Sequence, residues 1–183
     1  MDNSEQLRMT VYASLLAALT AAGAYMIIPI GPVPISLQTL FVYLTGLLLG
    51  SRWGSASVGV YLLAGACGLP VFAGGTGGIG RLLGPTGGYL FGYLAAVFVM
   101  GLIAERGNRR WIMDVIAMTA GTLIIYGAGV LWLKTVTGMT FTKAVAVGML
   151  PFLVGDSLKV VAAAAIARTV RPLLYLRQVS VES

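Results

Sequence analysis

Apolar residues occupy this chain in long runs, and polar residues fall in narrow bands between them. A bilayer span needs roughly 20 apolar residues, and the runs predict six helices joined by short loops. The first helix runs from Leu7 to Ile28 and ends at Pro29, because the residue before a proline is pushed out of the α region. The second is Ile35 to Gly50 and the third Gly54 to Cys67, with Ser51-Arg52-Trp53 turning between them. Pro85 suits the first turn of the fourth helix, which continues to Ala104. The fifth is Trp111 to Leu133, and Phe141 to Met149 predicts a short extra helical piece. The sixth starts at Leu150-Pro151 and ends near Val170, before a basic and then polar tail.

The stretch Leu69 to Gly92, LPVFAGGTGGIGRLLGPTGGYLFG, interrupts this pattern between the third and fourth helices. It carries nine glycines, two prolines and one charge, Arg81. Irregular backbone at the edge of a membrane is either buried in protein or lines a wet cavity. The stretch therefore reads as a loop packed on its neighbours and closing over a small ligand, or as a plain connector with tight turns. A phosphate-binding loop is excluded: that motif needs Lys-Ser/Thr after its last glycine, and Arg81-Leu82-Leu83 follows here. Small residues recur at spacing four, as Ala13, Ala17 and Ala21 in the first helix and Gly46, Gly50 and Gly54 further on. Such faces let helices approach closely, within this protein or against a partner subunit.

Composition narrows the class. The chain is 58% hydrophobic and 10% charged, with a mean hydropathy of +0.91, which marks a polytopic membrane protein. Its 183 residues make one transmembrane domain over 1–183 and leave no room for a second of normal size. The net charge of +6 does not indicate nucleic acid, because the cations lie at loop ends rather than in a stripe. Arg8, Arg52, Arg106, Arg109, Arg110, Arg168, Arg171 and Arg177 fall on one side of a six-span topology; Arg81, Lys134 and Lys143 fall on the other. The positive-inside rule then puts both termini in the cytoplasm and the Gly-rich loop outside. The opening MDNSEQLRMT is a poor signal-peptide n-region, so the first apolar run reads as a retained span. Cys67, the single cysteine, reads as a small core residue.

Asp156 and Lys159 change the picture most. They lie inside an apolar span, where a lone charge costs about 2.5–3.5 kcal/mol. At i and i+3 they share one helix face. They read as a ligand-binding pair or as a structural ion pair; the cost of intramembrane charge favours the ligand. Gln38 and Thr39, polar near the start of the second helix, either cap the preceding loop or face a cavity. Asp114 lies in a first helical turn, where a carboxylate complements the dipole. The chain contains no histidine, and no Ser-His-Asp, Cys-His or metal-ligand cluster is present. Ser157 and Lys159, two apart, point to nearly opposite sides. The expectation is a non-enzyme with no metal and no cofactor. A proton-coupled carrier using Asp156 remains open, because a buried Asp–Lys pair can titrate.

Several motifs in order give a more specific reading. They are VPISLQTL at Val33 to Leu40, GLLLGSRWGSASVGVYLL at Gly46 to Leu63, GLPVFAGG at Gly68 to Gly75, LLGPTGGYLFGY at Leu82 to Tyr93 and PFLVGDSLK at Pro151 to Lys159. With these the chain resembles the BioY family, the biotin-specific membrane subunits (S components) of energy-coupling factor (ECF) transporters. The resemblance implies an all-α bundle of six transmembrane helices in a prokaryotic cell membrane, with an outward-facing site for biotin. It implies that Asp156 and Lys159 lie at that site, with Thr76 of the Gly-rich loop and Tyr89 beside them. It also implies docking of Ala13 and Ala17 on a transmembrane coupling subunit, and ATP hydrolysis by two partner ATPase subunits. Arg81, the one cation of the loop, is a candidate partner for the ligand carboxylate, and Gln38 a further candidate contact. The competing reading is a self-sufficient proton-coupled carrier of biotin or a similar vitamin.

Overall fold

In lipid every backbone N–H and C=O must be satisfied within the chain, so long apolar runs fold as helices. The computed structural model describes residues 3–29, 32–108 and 110–179, the last five by their backbone. In order, its elements are α1 (Asn3–Gly23), β1 (Ile27–Ile28), β2 (Ile35–Ser36), α2 (Gln38–Ala66), α3 (Ile79–Leu83), α4 (Gly87–Arg106), α5 (Trp111–Thr137), α6 (Phe141–Gly148) and α7 (Leu153–Val179). A 3₁₀ turn, Leu150–Phe152, carries Pro151 at its start and leads into α7. Among the described residues six segments build the bundle: α1, the two arms of α2, α4, α5 and α7. By length and composition, α4, α5 and the run Phe141–Leu174 are each able to cross a membrane.

The second and third expected helices are the two arms of α2, which starts at Gln38 rather than Ile35 and stays helical through the expected turn at Ser51–Trp53. Gly50, with φ 78° and ψ −169°, breaks the helix between them. That left-handed φ favours glycine. A straight helix would hold Gln38 and Tyr61 about 35 Å apart, yet the Gln38 amide donates to the Tyr61 hydroxyl. The arms are therefore folded back on each other. Glu105 closes the break: its Oε1 accepts the Ser51 N–H at 2.9 Å and its Oε2 the Ser51 hydroxyl at 3.1 Å. The start of the second arm thus receives a carboxylate where its dipole is positive.

Glycines then let the helices close. A Cβ on Gly88 would lie 2.2 Å from the Trp132 Cβ, so α4 rests directly on α5. Gly46 and Gly54 of α2 meet Met100 and Val97 of α4. The core lies between these helices and includes Val42, Tyr43, Leu47, Val97, Met100 and Met118. Leu, Val and Ile side chains such as Leu63, Leu123, Val154 and Val161 remain on the outside, as expected for a surface facing lipid.

Several boundaries differ from the sequence reading. Helix α1 ends at Gly23, not Ile28, because the Leu37 N–H bonds the Gly23 carbonyl at 3.2 Å and the chain turns there. Ile27 and Ile28 pair antiparallel with Ser36 and Ile35 instead. The Gly-rich stretch contains the short helix α3. Helix α7 continues through Pro172 to Val179 rather than ending near Val170. Cys67 is exposed at the C-terminal cap of α2, not in the core. Asp114 has more than a dipole to complement. Both its oxygens accept from the Arg171 guanidinium, at 2.9 and 3.0 Å, and Arg171 also donates to the Leu47 carbonyl at 3.3 Å. This clamp joins α5, α7 and α2 at the bundle end that holds Gly50 and Glu105. Of the cations counted for topology, Arg109 and the side chain of Arg177 lie outside the described residues.

Two substitutions check these contacts by thermal denaturation in detergent. Glu105→Ala removes the cap and lowers stability by about 1 kcal/mol; an unchanged midpoint would sink that role. Arg171→Met strands the Asp114 carboxylate and costs about 3–5 kcal/mol, most of it recovered when Asp114→Leu is added. A double variant as unstable as the single one would mean that the pair is not what holds α7.

Candidate functional site

Asp156 and Lys159 project from one face of α7 into the bundle, 5% and 7% exposed. Lys159 Nζ donates to Asp156 Oδ1 at 2.6 Å. A buried pair needs its remaining lone pairs and protons met as well. Here α2 and α5 supply them. Lys159 Nζ also donates to Thr39 Oγ1 at 3.1 Å. The Tyr126 hydroxyl donates to Asp156 Oδ2 at 2.6 Å. Three helices distant in sequence thus converge on one carboxylate.

This quartet forms part of the wall of a chamber of about 50 Å³. Val33 and Pro34 of the first loop, Phe72 and Ala73 of the Gly-rich loop, and Phe152 of the 3₁₀ turn add apolar surface. The walls are pinned to each other. Phe72 meets the Tyr61 ring edge-on at 5.6 Å between centroids. The Gly74 N–H bonds the Ala24 carbonyl at 3.0 Å, and the Tyr25 hydroxyl bonds the Pro70 carbonyl, so the first loop and the Gly-rich loop are tied. The chamber has the lining of a small-molecule site, largely apolar with a few fixed polar groups, but is smaller than the roughly 300–1,000 Å³ such sites occupy, so a ligand of that size enters only as the loops move apart.

The other expected residues divide. Gln38 and Thr39 both line the chamber. Gln38 is 2% exposed, its Oε1 accepting from Ser36 at 3.0 Å and its amide held by Tyr61. The Tyr89 ring lines the chamber, while its hydroxyl donates to the Gly148 carbonyl at 2.7 Å. Arg81, on α3, lines it too. Thr76 is not among the lining residues. Its hydroxyl donates to the Ala73 carbonyl at 3.0 Å, and its backbone closes a tight turn with Phe72. Thr76 shapes the loop that presents Phe72 and Ala73.

Ala13 and Ala17 lie apart from the chamber and are buried inside the bundle, 7% and 8% exposed. The Ser57 hydroxyl of α2 donates to the Ala13 carbonyl at 2.7 Å. Their small side chains serve internal packing of α1 on α2, while Ser14, Ala18 and Ala22 of the same helix are exposed. Sequence reading missed Thr86, Tyr93, Tyr126 and Phe152, all on the chamber wall. A hydroxyl inside an apolar run was the available signal for Tyr126. Nothing local indicated that it meets a residue 30 positions away. Among the described residues no group of three His, Cys, Asp or Glu could hold a metal.

Comparison with known proteins agrees with this architecture. A family model described as the BioY family matches residues 1–175. The chain is 43% identical over 168 residues to a biotin transporter BioY of Thermotoga maritima, covering 91% of this chain and 98% of that one. It is 45% identical over 154 residues to a probable biotin transporter BioY of Pyrococcus horikoshii, covering 84% and 90%. Its fold superposes with a TM-score of 0.88 on a crystal structure of the S-component for biotin from an ECF-type ABC transporter, at 30% identity over 93% of this chain and 94% of that one. With a family match over nearly the whole chain and the same helical frame around the chamber, this chain belongs to the BioY family.

Proposed function

We propose that this chain is the membrane-embedded biotin-binding subunit, or S component, of an ECF-type vitamin importer. The observation that carries the reading is the buried Asp156–Lys159 pair, held by Thr39 and Tyr126 on the wall of an otherwise apolar chamber. Biotin offers matching chemistry. Its ureido ring has two N–H donors and a carbonyl, its thioether ring is apolar, and its arm ends in a carboxylate. Asp156 accepts from the ureido N–H groups, and Lys159 is a donor available to a ligand acceptor. Phe72, Phe152 and the tyrosine rings take the apolar ring. Fixed donors and acceptors of this kind select a ligand by leaving mismatched compounds with unpaired polar groups.

In this reading the protein is a binding subunit, not an enzyme. ATP hydrolysis comes from two partner ATPase subunits, transmitted through a transmembrane coupling subunit. The basic end with Arg52, Arg106, Arg110, Arg168 and Arg171 faces the cytoplasm together with both termini, and the chamber faces outward. A proton-coupled carrier is less well supported. Both oxygens of Asp156 already accept hydrogen bonds from protein donors, which suits an acceptor held in place.

Calorimetric titration of the detergent-purified chain tests the assignment. Biotin binds at one site per chain, dethiobiotin more weakly and thiamine not at all; a monodisperse protein that ignores biotin would overturn it. Asp156→Ala and Lys159→Ala each weaken biotin on the order of 10- to 100-fold, the range expected for loss of a charged hydrogen bond. Asp156→Ala also destabilises the fold by leaving Lys159 buried and unpaired. The double variant Asp156→Ala/Lys159→Met regains stability without regaining binding. Biotin affinity at the parent level in that double variant would make the pair purely structural.

A further inference from the structure

At about 50 Å³ the chamber is smaller than the ligand it suits. Parting the loops at its mouth opens a way in, but the space itself comes only from a side wall that yields. The walls differ in how firmly they are packed. α4 buries Tyr89, Leu90, Tyr93, Val97 and Met100 in the bundle, and close-packed side chains of that size do not shift cheaply. Among the described side chains of α7, the buried ones are Asp156, Lys159, Ala163 and Ala167. None of them is a large apolar residue. Of the most apolar stretch of Phe141–Leu174, 22% is buried, against 61% for α4 and 39% for α5.

Polar bonds hold α7 instead, at two levels. At the lower one Arg171 binds Asp114 and the Leu47 carbonyl. Pro172 follows it inside the helix and has no N–H for the helical ladder, which weakens α7 at that point. At the upper level the Tyr126 hydroxyl donates to Asp156 Oδ2 at 2.6 Å, and Lys159 donates to Thr39 at 3.1 Å. Beside this level a crevice of about 290 Å³ runs between α5 and α7, lined by Leu123, Tyr126, Leu153, Asp156, Ser157 and Val160. Leu123, Leu153 and Ser157 are exposed, so the crevice faces the bilayer. Asp156 and Tyr126 also line the chamber. Their hydrogen bond is therefore part of the partition between the two spaces. The two upper ties differ in reach. The four-carbon stem of Lys159 is flexible and keeps Thr39 as α7 moves; the Tyr126 hydroxyl sits on a rigid ring and cannot follow.

We propose that α7 is the wall that moves and that the Tyr126–Asp156 hydrogen bond is its latch. A ligand N–H replaces the Tyr126 hydroxyl on Asp156, and α7 tilts away from α5 about the Arg171 clamp, enlarging the chamber. The device rests on the chamber being the ligand site. Asp156 lies about 22 Å along the helix from Arg171, so a tilt of about 6° displaces it by about 2 Å. Helix shifts of about 1–2 Å are the scale on which packed helices switch. The empty and loaded proteins then differ along the bilayer-facing crevice between α5 and α7, and occupancy is legible from outside the chamber.

Spin labels at Leu123→Cys on α5 and Val161→Cys on α7, both exposed positions, measure the movement. The background is Cys67→Ser, because Cys67 is exposed as well. In monodisperse protein the distance between the labels lengthens by about 2 Å when biotin saturates the chain, while a pair at Leu63→Cys and Leu123→Cys, on α2 and α5, keeps its distance. Tyr126→Phe removes the latch. This variant shows the longer α5–α7 distance without biotin and binds biotin about 3- to 10-fold more tightly than the parent, because no hydrogen bond is left to break. A Tyr126 that only oriented Asp156 for the ligand would change the affinity in the opposite direction. An α5–α7 distance that stays the same in a parent titrating with biotin at one site overturns the latch. So does weaker binding by Tyr126→Phe, or a lengthening shared equally by the α2–α5 pair. A parent that binds no biotin overturns the ligand reading of the chamber, and the latch with it.

Discussion

A carboxylate and an ammonium buried among apolar helices constrain everything around them. Removing two charges from water is costly, and their mutual attraction offsets the cost only when geometry is good and the remaining hydrogen-bonding capacity is met. In this protein Asp156 and Lys159 meet that condition by drawing Thr39 from α2 and Tyr126 from α5. The pair therefore fixes where α2, α5 and α7 stand relative to one another. It leaves a polar centre inside a structure that is otherwise almost entirely apolar.

The opposite end of the bundle uses charge for a different purpose. Along α7, Arg171 lies about 22 Å from Asp156, and its guanidinium is bound to both Asp114 oxygens and to the Leu47 carbonyl. Nearby, Glu105 closes the break at Gly50. These contacts lie outside the Asp156 chamber and tie together five helical segments: both arms of α2, α4, α5 and α7. One end is thus a set of clamps. The other is a cavity whose walls come from two loops, a 3₁₀ turn and the ends of helices. A binding site built on a rigid frame and completed by loops can admit a ligand with small loop movements.

The division of labour in the Gly-rich stretch follows from backbone geometry. Its first half folds into a tight turn in which Thr76 bonds its own neighbours, so that its hydroxyl is consumed by the loop. Its second half leads into α4, where close contact of Gly87 and Gly88 with Leu82 and Trp132 fixes the direction of the helix. Thr86 at that junction keeps its hydroxyl on the chamber wall. Two threonines in similar glycine-rich surroundings thus have opposite fates, decided by the turn each occupies.

The sequence by itself determined the class of the protein, its six helical segments, a break between the second and third that it placed at Ser51–Trp53 rather than at Gly50, and the shared face of Asp156 and Lys159. These are local consequences of apolar run length, glycine conformation and helical periodicity, and they need no information about neighbours. The ordered motifs added the family resemblance that the comparisons bear out. Only the tertiary structure decided which side chains meet. Thr39 lies 120 residues from Lys159, and Arg171 lies 57 from Asp114; no local pattern encodes such pairings. It turned Ala13 and Ala17 inward, because α1 packs that face on α2, and left Cys67 outside. It ended α1 at Gly23, where a hydrogen bond from Leu37 competes with further helix. In each case the outcome rests on packing and hydrogen-bond satisfaction between distant segments, which periodicity along the chain does not contain.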